Sequence, residues 1–365
     1  MRTGLVWDER YMWHDPGPGA AVERAGGWIE PGDLMAETPA TKRRMRNLVE
    51  VAGLLEHLVP VAPRFATEEE LLRFHTREHL ERVRTLSEGV GGSVGFDAWA
   101  GTGTYDIARL AAGGTMAAVD AVLDGTVEAC YALVRPPGHH AMAEAGAGFC
   151  VFGNVALAVM HARAVRGVGR VAVVDWDVHH GNGTQDAFWT EPDVLAVSLH
   201  QDRCLLPSGA LEETGEGEGA GRTINVPLPA GSGEGAYLDA MARVVQPALR
   251  AFRPELIVVA CGFDANGFDP LARMLLHSDS FRLMTRSVVA LARELCDGRL
   301  VLSHEGGYSA AVTPFCGLAV LEELTGHRTS VDDPFAARLR EFPGQALEPH
   351  QRAVVDRAAE LAAPL

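Results

Sequence analysis

The chain has 365 residues, 47% of them hydrophobic and 22% charged, enough for one large buried core or two smaller ones. Its net charge of −16 leaves little basic surface for phosphate, so no nucleic acid partner is expected, and cationic substrates are compatible. The six cysteines form no CxxC pair, which argues against a thiolate zinc knuckle or a thioredoxin-like site and fits reduced thiols in a cytoplasmic protein.

The first segment, MRTGLVWDERYMWHDPG, has no basic-then-apolar signal pattern. No apolar run reaches the ~20 residues that span a bilayer, so no membrane partner is expected. TKRRMRNLVEVAGLLEHL at 41–58 and EEELLRFHTREHLERVRTL at 68–86 read as helices, followed by a Gly-rich loop at 87–104. From there short apolar runs alternate with amphipathic stretches of helical length. YALV (131–134) precedes a helix at 154–166, VAVV (171–174) and VLAVSL (194–199) precede a loop at 201–222, and a helix follows at 236–252. LIVVA (256–260), a loop at 262–279, a helix at 280–296 and LVLS (300–303) complete the pattern. Unbroken apolar runs of this length fit parallel strands buried on both faces, so the expected class is α/β with a mainly parallel sheet. No repeat or linker divides the chain. The expectation is a single domain over 1–365, with a motif-bearing core at about 4–326 and residues 327–365 as a peripheral C-terminal extension.

In an open α/β sheet, ligands bind beyond the carboxyl ends of the strands. Four runs lead there into titratable residues: YALV into RPPGHH, VAVV into DWDVHHGNG, LIVVA into CGFDANGFDP and LVLS into HEGGY. Buried carboxylates are costly unless they are paired or hold a metal. On an extended backbone Asp175, Asp177 and His179 share one side, while Trp176 and Val178 face the other. Asp177, His179 and Asp264 supply three ligands, the number a catalytic zinc uses beside an open position, and their oxygen-rich character also admits Fe(II). A neutral imidazole acts as a base when an acceptor fixes its tautomer, and Asp175 and Asn182 are candidate acceptors for His139 and His140. Tyr308, after two glycines, is a candidate donor to a developing oxyanion.

Lesser motifs have ordinary explanations. His75-Thr-Arg-Glu78-His79 matches the HxxEH of some zinc proteases but reads as surface or interface histidines on one helix face. Gly101-Thr-Gly-Thr lacks the Lys of a phosphate loop. EETGEGEG at 212–219 reads as an acidic flexible loop that could draw a cationic substrate to a pocket rim. KRRMR at 42–46 reads as helix-surface charge or a subunit contact.

RPPGHH, DWDVHHGNGTQDAF, SLH, CGFDA and EGGYS, in this order, resemble the zinc-dependent histone deacetylase family, most closely its bacterial class II amidohydrolases and acetylpolyamine amidohydrolases. The resemblance runs from about residue 4 to 326 and implies the arginase–deacetylase fold. It implies zinc on Asp177, His179 and Asp264, with His139 and His140 hydrogen-bonded to Asp175 and Asn182. His140 is then the general base and Tyr308 the oxyanion donor. It also implies a structural K⁺ held by carbonyls of Asp175, Asp177, His179 and Leu199 with side-chain oxygens of Asp175 and Ser198, and a second monovalent site at Phe188 and Val194. Gly148 and Phe149 would line the acyl-lysine channel, and a homo-oligomer, dimer or tetramer, is implied. The expected substrates are acyl-amines, either acetyl-lysine peptides or acetylpolyamines. In one respect the chain departs from the family. An aromatic residue usually stands opposite Phe149, whereas DRCLLPSG places Leu205 or Leu206 there, so a looser or reshaped slot is expected. A two-manganese ureohydrolase is disfavoured because Ala265 and Asn266 follow Asp264, leaving no DxD pair. A catalytically idle relative that only binds acylated ligands or partner proteins is the remaining alternative, and the complete residue set argues against it.

Overall fold

The computed structural model describes residues 1–29 and 35–363. Eight strands form one sheet: β1 (Thr3–Val6), β2 (Leu58–Val61), β3 (Ala129–Ala132), β4 (Val171–Asp175), β5 (Val194–Gln201), β6 (Thr223–Leu228), β7 (Leu256–Cys261) and β8 (Leu300–His304). Their spatial order is β6-β5-β4-β7-β8-β3-β1-β2, and every pairing is parallel. The class is α/β, as the alternating runs predict.

Both faces of the sheet are covered. In β4, Ala172 and Val174 join one apolar core while Val171 and Val173 join the other. This two-sided burial is why the strand has no polar face. The four strands at the centre, β4, β7, β8 and β3, lie side by side, so the four polar motifs emerge at neighbouring strand ends.

Several local expectations need correction. The 41–58 segment is not one helix: Pro39–Val51 is helical, Leu54–His57 is a 3₁₀ turn, and the segment's last residue opens β2. The 68–86 segment is broken into helices Glu68–Leu71 and Arg77–Glu88. The 87–104 loop contains strands Gly92–Phe96 and Ala98–Ala100, which form a small sheet with Gly146–Ala147. The 262–279 loop ends a little early, because a helix spans Ser278–Leu295. The 236–252 helix is one helical run from Glu234 to Phe252, with a π turn at Met241–Val245. The strand near YALV starts two residues earlier, at Ala129. Residues after 326 form helices Ala336–Arg340 and Pro349–Ala362, which add Leu339, Val355 and Ala358 to the larger core. Among the described residues no helix is long and apolar enough to cross a membrane.

Candidate active site

β4 ends at Asp175, and the chain then turns through Trp176–His180. Trp176 and Val178 are buried in the larger core, which leaves Asp177 and His179 facing the strand-end crevice. There they meet Asp264, three residues beyond β7. The ligand atoms of Asp177, His179 and Asp264 lie within 4.8 Å of one another, and all three residues are buried. His179 Nδ1 is 3.1 Å from Asp177 Oδ1 and 3.1 Å from Asp264 Oδ2.

The remaining carboxylate oxygens are held by backbone. Val178 N–H donates to Asp264 Oδ1 at 2.8 Å, and Gly306 N–H donates to Asp177 Oδ2 at 2.8 Å. A side chain at Gly306 would run into the carboxylates of Asp264 and Asp177, and one at Gly262 would strike Asp177. Burial, then the charge of Asp177, push the Asp264 carboxyl up to about 6. Two carboxylates crowded this closely away from water call for a cation. The donor set of two oxygens and one nitrogen fits zinc and also Fe(II).

The histidine pair follows β3. His139 Nδ1 lies 3.0 Å from Asp175 Oδ2, and His140 Nδ1 lies 2.7 Å from Asn182 Oδ1. The Asn182 amide nitrogen donates to the His140 carbonyl at 3.2 Å, which fixes the amide so that its oxygen faces the imidazole. That oxygen only accepts, so His140 carries its hydrogen on Nδ1 and keeps a free lone pair on Nε2. The two rings are pushed in opposite directions. Burial, helped by His139 and His179, holds His140 well below its usual value. Burial also opposes charge on His139, but Asp177 and Asp175 outweigh it and raise that imidazole to about 10.

His140, His179 and Tyr308 open into one cavity of about 260 Å³, walled by Phe149, Leu205 and Leu271. Phe149 and Tyr308 pack edge to face at 5.6 Å. Phe149 holds a left-handed backbone, φ +67°, fixed by its N–H donating to the Asp97 carbonyl at 2.8 Å. Such a conformation costs of order 1–3 kcal/mol and persists only where neighbours impose it. Burial keeps the Tyr308 hydroxyl protonated, well above its ordinary value. Gly148 also lines the cavity. Of the two leucines expected opposite Phe149, Leu205 lines it and Leu206 does not.

Asp175 and Ser198 pair across β4 and β5 and border a small space of about 10 Å³. Thr184 Oγ1 and Asn225 Oδ1 are buried there without a partner. A space of that size takes one water or a single ion. Ser198 Oγ itself sits 2.8 Å from His200 Nδ1. Phe188, which follows the helix Asn182–Ala187, and Val194, which opens β5, are buried in the second core, and Leu199 lies buried in β5.

The protease-like motif holds no metal geometry. His75 lies in the break between helices, its Nδ1 3.1 Å from the Met142 carbonyl, while Gly153 N–H donates to its Nε2. His79 Nε2 faces the Val151 carbonyl at 2.9 Å, and Glu78 is exposed. The two histidines are buried rather than on the surface. The 212–219 loop does not reach the cavity. Its Glu213 turns inward, accepting from Gln185 at 2.6 Å and from Gly209 N–H at 2.9 Å. KRRMR is not all surface charge either, because Lys42 is buried against Glu37 at 3.0 Å.

Sequence reasoning missed Val22, Asp97, Cys204, Pro270 and Leu271 among the cavity residues, and the buried Asp269. Glu305 Oε2 accepts from the N–H groups of Gly138 and His139, at 2.6 and 3.1 Å. Glu305 stood out in the sequence as the acid opening the EGGY turn, without an assigned role.

Known proteins resemble this chain. Residues 35–324 match the Histone deacetylase domain. A histone deacetylase-like amidohydrolase of Pseudomonas aeruginosa is 52% identical over 371 aligned positions, covering 99% of this chain and 96% of the relative. A probable deacetylase of Archaeoglobus fulgidus is 36% identical, covering 89% and 87%. Among solved structures, the crystal structure of the HDA15 HD domain superposes with a TM-score of 0.86 at 31% identity, covering 100% of this chain and 96% of that one. By sequence motif, by full-length similarity and by fold, the chain belongs to the histone deacetylase family.

Proposed function

We propose that the chain is a zinc-dependent amidohydrolase that removes acetyl or related acyl groups from amines, with acetyl-lysine peptides and acetylpolyamines as the substrate classes. The observation that carries this reading is the buried Asp177–His179–Asp264 cluster sharing one cavity with His140 and Tyr308. When held by those three ligands, zinc supplies Lewis acidity toward water and toward the acyl carbonyl, and Fe(II) fits the same donors.

The protein residues do the rest. His140, neutral and held at Nδ1 by Asn182, takes the proton of the attacking water at Nε2. It then delivers that proton to the nitrogen as the C–N bond breaks. His139, held by Asp175, stands beside it as a source of positive charge. Tyr308 donates its hydroxyl hydrogen to the carbonyl oxygen as negative charge collects there. Phe149 and Leu205 enclose the methylene chain that leads to the amide. By family resemblance the reading extends to structural K⁺ near Asp175, Ser198 and Leu199 and near Phe188 and Val194, and to a homo-oligomer in the cytoplasm.

The test is acid release by zinc-loaded protein from an acetyl-lysine peptide, acetylputrescine and longer-acyl lysine peptides. Tyr308→Phe is expected to lower turnover by ~10²–10³-fold with zinc content unchanged, and turnover within about threefold of the unmodified protein overturns its role. Asp177→Ala is expected to lose bound zinc as well as activity, and full zinc content in that variant overturns the ligand assignment. The ranking within this panel reads how far Leu205 has widened or reshaped the slot.

A further inference from the structure

Tyr308 follows Gly306 and Gly307 and has no side chain before it to hold the turn. Its position is nevertheless defined. Asp269 Oδ2 accepts from Tyr308 N–H at 2.7 Å and from Ser309 N–H at 3.3 Å. The other oxygen, Oδ1, accepts from Leu271 N–H at 3.0 Å. One buried carboxylate, 7% exposed, thus joins two walls of the cavity, Tyr308 after β8 and Leu271 after β7. Asp269 is itself anchored, its N–H donating to the Asn266 carbonyl at 3.0 Å.

We propose that Asp269 is a positioning residue for hydrolysis, setting where the Tyr308 hydroxyl stands relative to the substrate carbonyl. The inference rests on the amidohydrolase reading above. Its physical basis is that an oxyanion donor acts only when it is already in place, and misplacement of about 1 Å can cost ~10²-fold in rate. The chemistry of the contact favours a carboxylate. Three N–H donors converge on two acceptor oxygens, whereas an Asn offers one acceptor and turns an NH₂ group toward an N–H.

The test is a double-mutant cycle between Asp269 and Tyr308, with zinc content measured for every variant. Asp269→Asn is expected to lower kcat for acetylputrescine by about 10–100-fold while KM moves less than about threefold, because placement in the transition state is lost rather than ground-state binding. In the Tyr308→Phe background the same substitution is expected to cost less than about threefold, since no hydroxyl remains to be placed. An equal cost in both backgrounds overturns the proposal, as does wild-type turnover in Asp269→Asn. Asp269→Glu, which keeps the charge but shifts the oxygens, is expected to show the same kcat loss with full zinc and covers the case in which the Asn variant does not fold. If Tyr308→Phe itself keeps full turnover, the oxyanion role fails and this inference with it. If Tyr308→Phe falls and Asp269→Asn does not, only the positioning role fails.

Discussion

At Gly306 a single hydrogen atom separates a working cluster from a blocked one. A methyl group there would occupy the space taken by the carboxylates of Asp264 and Asp177, and the Gly306 N–H orients the latter. Groups that orient metal ligands typically govern affinity by about 10–100-fold. Gly306→Ala is therefore expected to weaken zinc binding by at least that factor while the sheet stays folded. Zinc retained after dialysis, read beside the melting temperature, checks this, and full retention refutes it. The residues of this cluster were legible in the sequence for a chemical reason: Asp, His and Tyr placed directly after buried strands have few other uses. Asp269, Asp97 and Leu271 were not. Each sits in a polar or mixed loop, and nothing local distinguishes a carboxylate that will be buried by a distant turn from one that stays in water.

At the scale of elements, the helix Pro39–Val51 is tied to the segment after β3 through charges that share no water. Glu37 meets Arg135 Nη2 at 2.8 Å and Lys42 Nζ at 3.0 Å, with all three side chains at 0–1% exposure. Burial opposes the carboxylate, yet Arg135 and Lys42 outweigh it and hold Glu37 well below the usual range. Removing one member strands the others. Glu37→Gln is expected to cost about 3–5 kcal/mol in urea unfolding at pH 7, and a loss below about 1 kcal/mol contradicts that account. Elements themselves were legible where they were long or fully apolar, as in β4, β5, β7 and β8. β1 and β2 are each four residues long, β2 carries Pro60, and β6 carries Asn225 and Pro227. β2 and β6 are the edge strands, where a proline costs no ladder bond on the open side, so their sequences carry a weaker strand signature.

For the whole molecule, buried neutral histidines set the response to acid. His14 and His75 are both driven down to about 3, chiefly by burial. His75 has both ring nitrogens committed to neutral partners, the Met142 carbonyl and the Gly153 N–H. A folded-state value below the unfolded one means that the unfolded chain takes the proton first as pH falls. The stabilisation is thus complete above about 6.5 and is lost progressively from there down toward about 3, at ~1.4 kcal/mol per pH unit for each histidine. The urea midpoint is expected to drop between pH 7.5 and 5, with a shallower drop in His75→Gln. A midpoint that stays constant over that range contradicts the prediction.

The carboxylate–histidine cluster and the cavity walls are built on different parts of the chain. Asp177 and Asp264 stand at the ends of the central strands, while Phe149 hangs from the small sheet through the Asp97 carbonyl and Leu205 from the loop after β5. The strain at Phe149 is thus borne by a peripheral scaffold. Exchange of either wall leaves the carboxylate–histidine cluster where it is, so the shape of the entrance is open to change by single substitutions, and lineages of this fold can diverge in diet without rebuilding the cluster.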